Sequence, residues 1–166
     1  MKIKIILLVV VFIIVIFLAG LYYLLTDRVK DVSTNIPYTE IINKDLISIR
    51  PSILIENYNF EFVKEYPKGL NNYENIDTSQ VAHITVPEGS IFKFHKALQI
   101  QNAGSGFIYS YLLGEVKLAK SNEKYAVMYS WGFLKEDIFQ KTDSYWEFKI
   151  APWQIEKTRN IYLKRD

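Results

Sequence analysis

The N-terminal part of the chain contains a long uncharged segment. Between Lys4 and Asp27 lie 22 consecutive residues without a charge, and 17 of the residues from 5 to 25 are Leu, Ile, Val or Phe. A helix rises about 1.5 Å per residue, so a helix of this length spans roughly 33 Å, close to the roughly 30 Å hydrocarbon core of a bilayer. Each of these side chains favours insertion by about 0.3 to 0.6 kcal/mol near the centre of a membrane helix. The segment therefore predicts a transmembrane helix.

A cleaved secretory signal is an alternative interpretation of the same segment. A basic start is followed by an apolar stretch at residues 5–18 and by the small pair Ala19-Gly20, the order found in such signals. A cut after Gly20 leaves Leu18 where a small residue is preferred, and the apolar run resumes at residues 21–25. A buried helix of a soluble protein conflicts with a segment that is apolar on every face. We therefore expect an uncleaved signal anchor.

The flanks of the segment predict its orientation and its interface with the lipid. Lys2 and Lys4 precede it, and Tyr22 and Tyr23 lie where the helix should leave the hydrocarbon. On the far side two basic residues, Arg28 and Lys30, lie between two acidic ones, Asp27 and Asp31. Basic residues favour the cytoplasmic side, and tyrosine is enriched at the membrane interface. We expect a single-pass protein of the cell (inner) membrane, with its N-terminus in the cytoplasm and the remaining residues outside it.

The composition after the apolar segment excludes several classes of partner. Lys2 and Lys4 supply the formal charge of +2, because the chain after Thr26 holds 18 basic and 18 acidic residues. A neutral domain is not typical of a nucleic-acid binder or of a reader of anionic lipids, both of which carry clustered basic charge. The chain has no cysteine, which excludes disulfides, thiolate nucleophiles and cysteine metal sites. A hydrophobic core must therefore stabilise the domain.

The hydrophobic pattern predicts a mainly β fold after the anchor. Residues 26–40 are polar, contain Pro37 and show no sustained apolar period, which is typical of a linker. From residue 49 the pattern alternates with a period of two. We expect a transmembrane anchor at residues 1–26, a linker at 27–40 and an extracytoplasmic β-rich domain at 41–166. The domain is predicted to be an antiparallel β-meander, closing into a sandwich or small barrel, with one or two short helices.

Individual segments carry more specific predictions. Strands are predicted around residues 58–62, 81–86, 91–101, 107–118, 125–133 and 145–150, a loop at 71–75, and short helices at 39–48, at 134–140 and from Pro152 onward. Residues 107–118 are apolar on both parities in their first half, which predicts a central strand covered on both faces. Alternate residues of a strand lie on the same face. In residues 91–101, this places Phe92, Phe94, Leu98 and Ile100 on one face. In residues 125–133 the even positions are mostly small, and the bulky odd positions are predicted to share a face: Tyr125, Val127, Tyr129, Trp131 and Phe133.

Catalytic motifs are weak in this sequence. His83 and His95 are its only histidines, they lack metal-ligand spacing, and both are predicted to face solvent on strands, so we expect no metal and no other cofactor. Ser105 lies between two glycines without the motif of a nucleophile elbow, and a hairpin loop explains it better. Three glutamates, Glu61, Glu65 and Glu115, could serve a glycosidase, but nothing in the sequence pairs them. No glycine-rich phosphate loop precedes a helix.

Aromatic residues are the positive signal in the predicted domain. The sequence holds 12 tyrosines, 10 phenylalanines and 3 tryptophans, and exposed Tyr and Trp dominate the recognition of proteins and sugars. The alternative interpretation is that alternating rings fill a β core. Binding surfaces most often lie on loops at the ends of rigid strands. The candidate binding residues are Tyr109, Tyr111, Tyr129, Trp131, Lys93 and His95; we predict no catalytic residues.

Three functional hypotheses follow. The leading one is a non-catalytic binding or assembly module, anchored in the bilayer through residues 5–25, whose partner is an envelope protein or, more specifically, an incoming toxin neutralised at the membrane. The second is an envelope hydrolase or carbohydrate-binding domain acting on cell-wall glycans. The third is a purely structural role within an oligomer, with aromatic residues buried between subunits.

Overall fold

The computed structural model describes residues 2–56, 66–72, 82–135, 144–156 and 161–163. Its elements, in chain order, are α1 (Lys2–Leu25), β1 (Arg28–Asp31), a short 3-10 helix (Tyr38–Glu40), β2 (Asp45–Ile47), β3 (Ser52–Glu56), β4 (Lys68–Asn72), β5 (His83–Val86), β6 (Ile91–Gln101), β7 (Ile108–Lys117), β8 (Lys124–Lys135), β9 (Ser144–Phe148) and β10 (Ile161–Leu163). The described chain is thus mainly β with one N-terminal apolar helix, as predicted.

Helix α1 is a candidate membrane anchor or signal sequence. Its residues Leu7–Leu25 are long and apolar enough to cross a membrane, and none of that stretch is buried against the rest of the chain. The Thr26 hydroxyl donates a hydrogen bond to the Tyr22 carbonyl at 2.7 Å where the helix ends. Every face of this stretch is apolar and exposed. The rest of the chain therefore does not stabilise the helix by packing against it.

The ten strands of the described residues form one open sheet. Strands β6, β7 and β8 are its long antiparallel centre, and β1 and β2 both pair with the outer edge of β6. On the other side, β8 pairs with β4 over its first half and with β9 over its second half. The order then continues from β4 to β3 and β5, and β10 pairs with β9. Strand β7 lies between β6 and β8 and is therefore a central strand, as the two-sided apolar pattern of residues 107–118 predicts.

The sheet departs from a simple meander at one position. Strands β4 and β8 are parallel, with Lys68 opposite Val127 and Leu70 opposite Tyr129. The other pairings described are antiparallel. Closure of the sheet into a sandwich or small barrel stays a prediction.

One face of the sheet carries the main core. Tyr38, in the short 3-10 helix, packs against Trp131 and Phe148, with ring centroids 5.9 and 6.2 Å away. Trp153, after β9, packs against Phe94 at 5.1 Å. The main core contains Val32, Tyr38, Ile41, Leu54, Leu70, Val86, Phe92, Phe94, Ala97, Leu112, Val116, Leu118, Val127, Tyr129, Trp131, Trp146, Phe148 and Ala151.

A second cluster lies on the opposite face, which we call the outer face. Its buried members are Leu98, Ile100, Tyr111, Leu113 and Met128, and Tyr66 and Tyr109 pack against them. Because Leu112 belongs to the main core and its neighbours Tyr111 and Leu113 to the second cluster, side chains alternate between the two faces along β7. The two clusters explain why this strand is apolar on both parities.

A β-bulge in β6 corrects the predicted parity of that strand. Phe94 lies opposite Gly114 and Lys96 opposite Leu113, so His95 is an extra residue. An extra residue exchanges the faces of everything that follows. Phe94 therefore faces the main core, whereas Leu98 and Ile100 join the second cluster. The prediction that Leu98 and Ile100 share a face with Phe92 and Phe94 is wrong for this reason.

Several local predictions also differ from the structure. Within the predicted linker, Arg28–Asp31 forms β1, and Val32 and Tyr38 are buried. The helix predicted at 39–48 is reduced to the 3-10 turn, since Asp45–Ile47 forms β2. The loop predicted at 71–75 and the helix predicted at 134–140 begin too early, because residues 71–72 lie in β4 and residues 134–135 in β8. The helix predicted from Pro152 onward is wrong over the described residues, where residues 152–153 form a turn. Residues 73–75 lie outside the described residues. The predicted strand at 58–62 lies outside the described residues, as do residues 136–140.

Candidate functional site

A cleft on the outer face, beside the end of β8, is the candidate site. It has a volume of about 400 Å³ and is lined by Tyr109, Ser130, Trp131, Gly132, Phe133, Glu147, Phe148 and Lys149. Strands β7, β8 and β9 contribute all of these residues except Lys149, which directly follows β9, so most of the cleft lining lies on hydrogen-bonded strands. We call this space the outer-face cleft.

A second β-bulge creates the outer-face cleft. Ser110 lies opposite Gly132 and Tyr111 opposite Ser130, so Trp131 is the extra residue. The Trp131 side chain lies in the main core, and a Cβ on Gly132 would meet the Phe148 ring at 2.8 Å on that same side. Neither Trp131 nor Gly132 therefore places a side chain on the outer face. The backbone between Ser130 and Phe133 is left uncovered on that face. The bulge also places Phe133 on the outer face, so the prediction that it shares a face with Trp131 is wrong.

The floor of the outer-face cleft is fixed by hydrogen bonds. The Trp131 indole Nε1 donates to the Lys149 carbonyl at 3.1 Å, and the Lys149 N–H donates to the Trp131 carbonyl at 3.0 Å. The indole also contacts Phe148, with ring centroids 4.6 Å apart. A buried tryptophan with a satisfied N–H holds one orientation, so the bulge is rigidly placed.

Aromatic rings form a continuous row along one side of the outer-face cleft. Phe107 contacts Phe133 at 5.7 Å between ring centroids, Phe133 contacts Tyr109 at 5.2 Å, and Tyr109 contacts Tyr111 at 6.4 Å. Phe107 is 53% exposed, and Tyr111 at the other end is buried. The row therefore runs from the second cluster to the surface, and its contacts are tilted or edge-on, as is usual for neighbouring rings.

The opposite wall of the outer-face cleft is charged. Glu147 lies directly across from Phe133 and forms an ion pair with Lys135, with 2.6 Å between Oε2 and Nζ. The hydrogen bond to Glu147 raises the pKa of Lys135, which therefore stays charged at neutral pH. Lys149 is exposed and has no ion-pair partner among the residues that the structure describes. The site combines apolar rings with one acidic and one basic side chain.

The structure divides the six candidate residues from the sequence between two faces. Tyr109 and Tyr111 are neighbours on the outer face, and Tyr109 lines the cleft. Tyr129 and Trp131 have side chains 2% and 1% exposed in the main core. The core interpretation of alternating rings therefore accounts for these two side chains.

Lys93 and His95 are exposed on β6, away from the cleft lining. Lys93 forms an ion pair with Asp45 at 3.7 Å, and the His95 Nε2 lies 2.6 Å from the Tyr66 hydroxyl in a hydrogen bond. His83 is also exposed. Both histidines thus face solvent, as predicted from their positions in the strand pattern.

The catalytic candidates weighed on the sequence are not brought together among the described residues. The Ser105 hydroxyl donates a hydrogen bond to Asn102 within the hairpin loop, and Glu115 forms an ion pair with Lys124 at 2.8 Å. Glu61 and Glu65 lie outside the described residues. No group of three His, Asp or Glu residues that could hold a metal ion occurs in the described part of the chain.

The buried tyrosines have raised pKa values, which keep their phenol groups neutral. Burial raises the pKa of Tyr111 to about 12, with smaller contributions from Tyr109 and Asp27. Burial also raises the pKa of Tyr129 and of Tyr38. The polar side chains of Ser110 and Gln99 partly oppose the shift of Tyr38. All three phenols are protonated at neutral pH and act as packing groups.

Sequence reasoning missed Phe107, Phe133, Ser130, Glu147 and Lys149 as site residues. Phe133 was missed because alternation along the strand predicts that it shares a face with Trp131. The bulge at Trp131 instead places the two side chains on opposite faces. The available signal was Gly132, because a glycine inside a strand often marks a bulge or a close approach.

No family model matches the chain, and neither a curated protein nor a solved structure with significant similarity to it was found. The proposed function therefore rests on the sequence and on the geometry of the site.

Proposed function

We propose that the chain is a membrane-anchored, non-catalytic binding module that holds its β-rich domain outside the cytoplasm and binds a protein of the cell envelope through the outer-face cleft. The observation that carries the proposal is the aromatic row beside Glu147 and Lys149, in which the half-buried Tyr109 and Phe133 line the cleft and Phe107 is exposed at one end. An incoming toxin neutralised at the membrane is a specific version of such a partner.

The properties of α1 support the membrane anchor. Its apolar surface is exposed over Leu7–Leu25, and such a surface is unfavourable in water by roughly 25 cal/mol for each Å². Lys2 and Lys4 precede it and favour a cytoplasmic N-terminus. Tyr22 and Tyr23 are exposed at its end, where a membrane interface would lie.

The chemistry of the outer-face cleft supports protein recognition. Aromatic anchors surrounded by polar groups are typical of the residues that dominate protein interfaces. Here Tyr109 and Phe133 supply the apolar contact, and Ser130, Glu147 and Lys149 supply hydrogen bonds and charge at its edge. Tyr109, Phe133 and Glu147 project from hydrogen-bonded strands, so no backbone has to be ordered at these positions on binding.

The alternative of a hydrolase or carbohydrate-binding domain acting on cell-wall glycans has less support. A glycosidase needs two carboxyl groups flanking the bond that it cleaves. Among the described residues that line the outer-face cleft, Glu147 is the one carboxylate. The tilted rings of Phe133 and Tyr109 also offer no flat platform for a sugar.

Site-specific photocrosslinking of the full chain in native membranes tests the proposal. A photoreactive benzoylphenylalanine replaces Phe133 in one version and Ile47, which is 61% exposed on β2, in the control version. We expect one discrete crosslinked protein from position 133, none from position 47, and a weaker product when Lys149→Glu is added. Equal crosslinking at both positions, or turnover of a glycan by the purified chain, contradicts the proposal.

A further inference from the structure

The loop between β6 and β7 lies against the end of α1. Asp27 Oδ1 accepts a hydrogen bond from the Ala103 N–H at 2.8 Å, and Arg28 at the start of β1 lies opposite Gln101 at the end of β6. Thr26 and Asp27 alone separate the helix from β1. Short spacing and direct pairing therefore place this hairpin loop, residues 102–107, at the level where the helix leaves its apolar stretch.

The hairpin loop is uncharged and exposed. Its sequence is Asn-Ala-Gly-Ser-Gly-Phe, without a Lys, Arg, Asp or Glu, and Phe107 exposes 53% of its surface at the base of the loop. Charged side chains border the loop without belonging to it: Asp27 and Arg28 lie on the side of the helix, and Lys135 lies on the side of β8. An exposed ring on an uncharged loop can contact an apolar medium without burying a charge.

Several hydrogen-bond donors of the loop are satisfied within it. The Asn102 side-chain oxygen accepts hydrogen bonds from the Ser105 N–H at 2.8 Å and from the Ser105 hydroxyl at 3.0 Å. Two backbone bonds close the loop, from Gly106 N–H to the Asn102 carbonyl and from Asn102 N–H to the Phe107 carbonyl, at 2.8 and 2.9 Å. Leaving water costs a loop less when its donors and acceptors are already paired.

The residues at the end of the helix match an interfacial position. The Arg28 guanidinium lies 4.7 Å from the centre of the Tyr23 ring, so a cation and an aromatic ring share this level. Tyrosine and arginine are both residues that anchor a helix where hydrocarbon meets headgroups. The hairpin loop is thus next to the groups that would define the membrane surface.

From these contacts we infer that the hairpin loop is a second membrane contact, in which Phe107 enters the interfacial region of the bilayer beside Tyr22 and Tyr23. The inference rests on the membrane anchor of the proposed function. The domain is then held at two points, the helix and the loop, so it cannot swing freely about residues 26–27. The Phe107 end of the aromatic row lies at the lipid surface and its Tyr111 end farther away.

The opposite end of β6 supplies a matched control position. Ten residue steps of about 3.3 Å each separate Ile91 from Gln101, a distance of roughly 33 Å. Ile155 is near that far end, because its carbonyl accepts a hydrogen bond from Arg50 and the Ile49 N–H donates to the Pro152 carbonyl. Ile155 is 81% exposed, so it is an exposed apolar residue like Phe107 but remote from the helix.

Spin labelling of the full chain in lipid nanodiscs tests the inference. The chain has no cysteine, so Phe107→Cys, Gly104→Cys, Ile155→Cys and Val15→Cys each give one labelling site. For every label, the collision rate with oxygen, which concentrates in lipid, is compared with the rate with a water-soluble nickel complex. We expect the ratio of oxygen to nickel accessibility to be highest at position 15, intermediate at positions 104 and 107, and lowest at position 155.

The outcomes separate the inference from the proposed function. The accessibility ratio at positions 104 and 107 could equal that at position 155 while position 15 is shielded from nickel. This result overturns the second membrane contact and leaves the membrane anchor intact. Water-like accessibility at position 15 overturns both. Circular dichroism of each labelled chain verifies the fold, and position 104, where a Cβ meets nothing closer than 3.5 Å, keeps the test valid if the change at Phe107 disturbs packing.

Discussion

Trp131 and Lys149 hold each other through two reciprocal hydrogen bonds across the β8–β9 edge. The indole N–H donates to the Lys149 carbonyl, and the Lys149 N–H donates to the Trp131 carbonyl, at 3.1 and 3.0 Å. This pair continues the β8–β9 ladder past the bulge and fixes the backbone that lines the outer-face cleft. Trp131 therefore contributes both to the stability of the domain and to the shape of the outer-face cleft.

Trp131→Phe is expected to destabilise the domain by about 2 to 4 kcal/mol. The change removes ring volume from the main core and leaves the Lys149 carbonyl without its indole donor, and each effect alone costs about 1 to 3 kcal/mol. Urea unfolding followed by circular dichroism measures the difference. Trp153→Phe is the control, because that ring is only half-buried, and it should cost clearly less. Equal losses in the two variants contradict this assignment.

Tyr129→Phe is expected to leave the stability within about 1 kcal/mol of the natural chain, or to raise it. The Tyr129 hydroxyl is buried and has no hydrogen-bond partner in the part of the chain that the structure describes. Removing a buried polar atom without a partner relieves its desolvation penalty. The same urea titration checks the result. A loss comparable to that of Trp131→Phe would show that the hydroxyl makes a bond that stabilises the core.

Gly114→Ala is expected to destabilise the domain by at least about 2 kcal/mol, since overpacking of a tight site usually costs 1 to 3 kcal/mol and here the neighbour is backbone. A Cβ at Gly114 would collide with the Lys93 carbonyl oxygen and lie 2.6 Å from the Phe94 Cα. Both atoms belong to the strand that bulges at His95. Gly104→Ala in the exposed hairpin loop is the matched control and should be nearly neutral. If both substitutions are neutral, β6 does not lie over Gly114 as described.

The stability of the domain is expected to fall above pH 10. The pKa of Tyr111 is about 12 in the folded chain, against 10.0 for an ordinary tyrosine, so the unfolded chain loses this proton first. The stability is complete below pH 10 and decreases between pH 10 and 12 by about 1.4 kcal/mol per pH unit for each such group. Unfolding free energies from pH 7 to 12 measure the slope. Tyr129→Phe removes one buried phenol and should decline less steeply; a constant stability up to pH 12 contradicts the burial of these rings.

The sequence predicted the elements whose pattern is set by local burial. Residues 107–118 are apolar on both parities because β7 lies between two strands and carries a cluster on each face. The uncharged run before Asp27 likewise predicts an apolar helix, and α1 is one. In both cases the local pattern of apolar side chains is enough to indicate whether each residue is buried in protein or lies in an apolar surface.

The two bulges and the edge strand were not predicted, because their positions depend on partners that are distant in sequence. His95 and Trp131 each add one residue to a strand and so exchange the faces of the residues that follow. The hydrophobic pattern reveals neither extra residue, and Gly132 is a local signal for the second bulge alone. Strand β1 is exposed along its whole length and is held by backbone pairing with β6. The bulge at Trp131 creates the outer-face cleft, so the lining by Phe133, Glu147 and Lys149 was missed together with that bulge.

The proposed function requires that an uncleaved α1 holds the domain outside the cytoplasm. A membrane-impermeant maleimide, added to intact spheroplasts that carry Ile155→Cys as the single cysteine, tests this topology, with Lys4→Cys as the cytoplasmic control. We expect position 155 to react before lysis on a chain of full length, and position 4 to react only after lysis. Reaction at position 155 only after lysis, or on a chain shortened by about the length of α1, contradicts it.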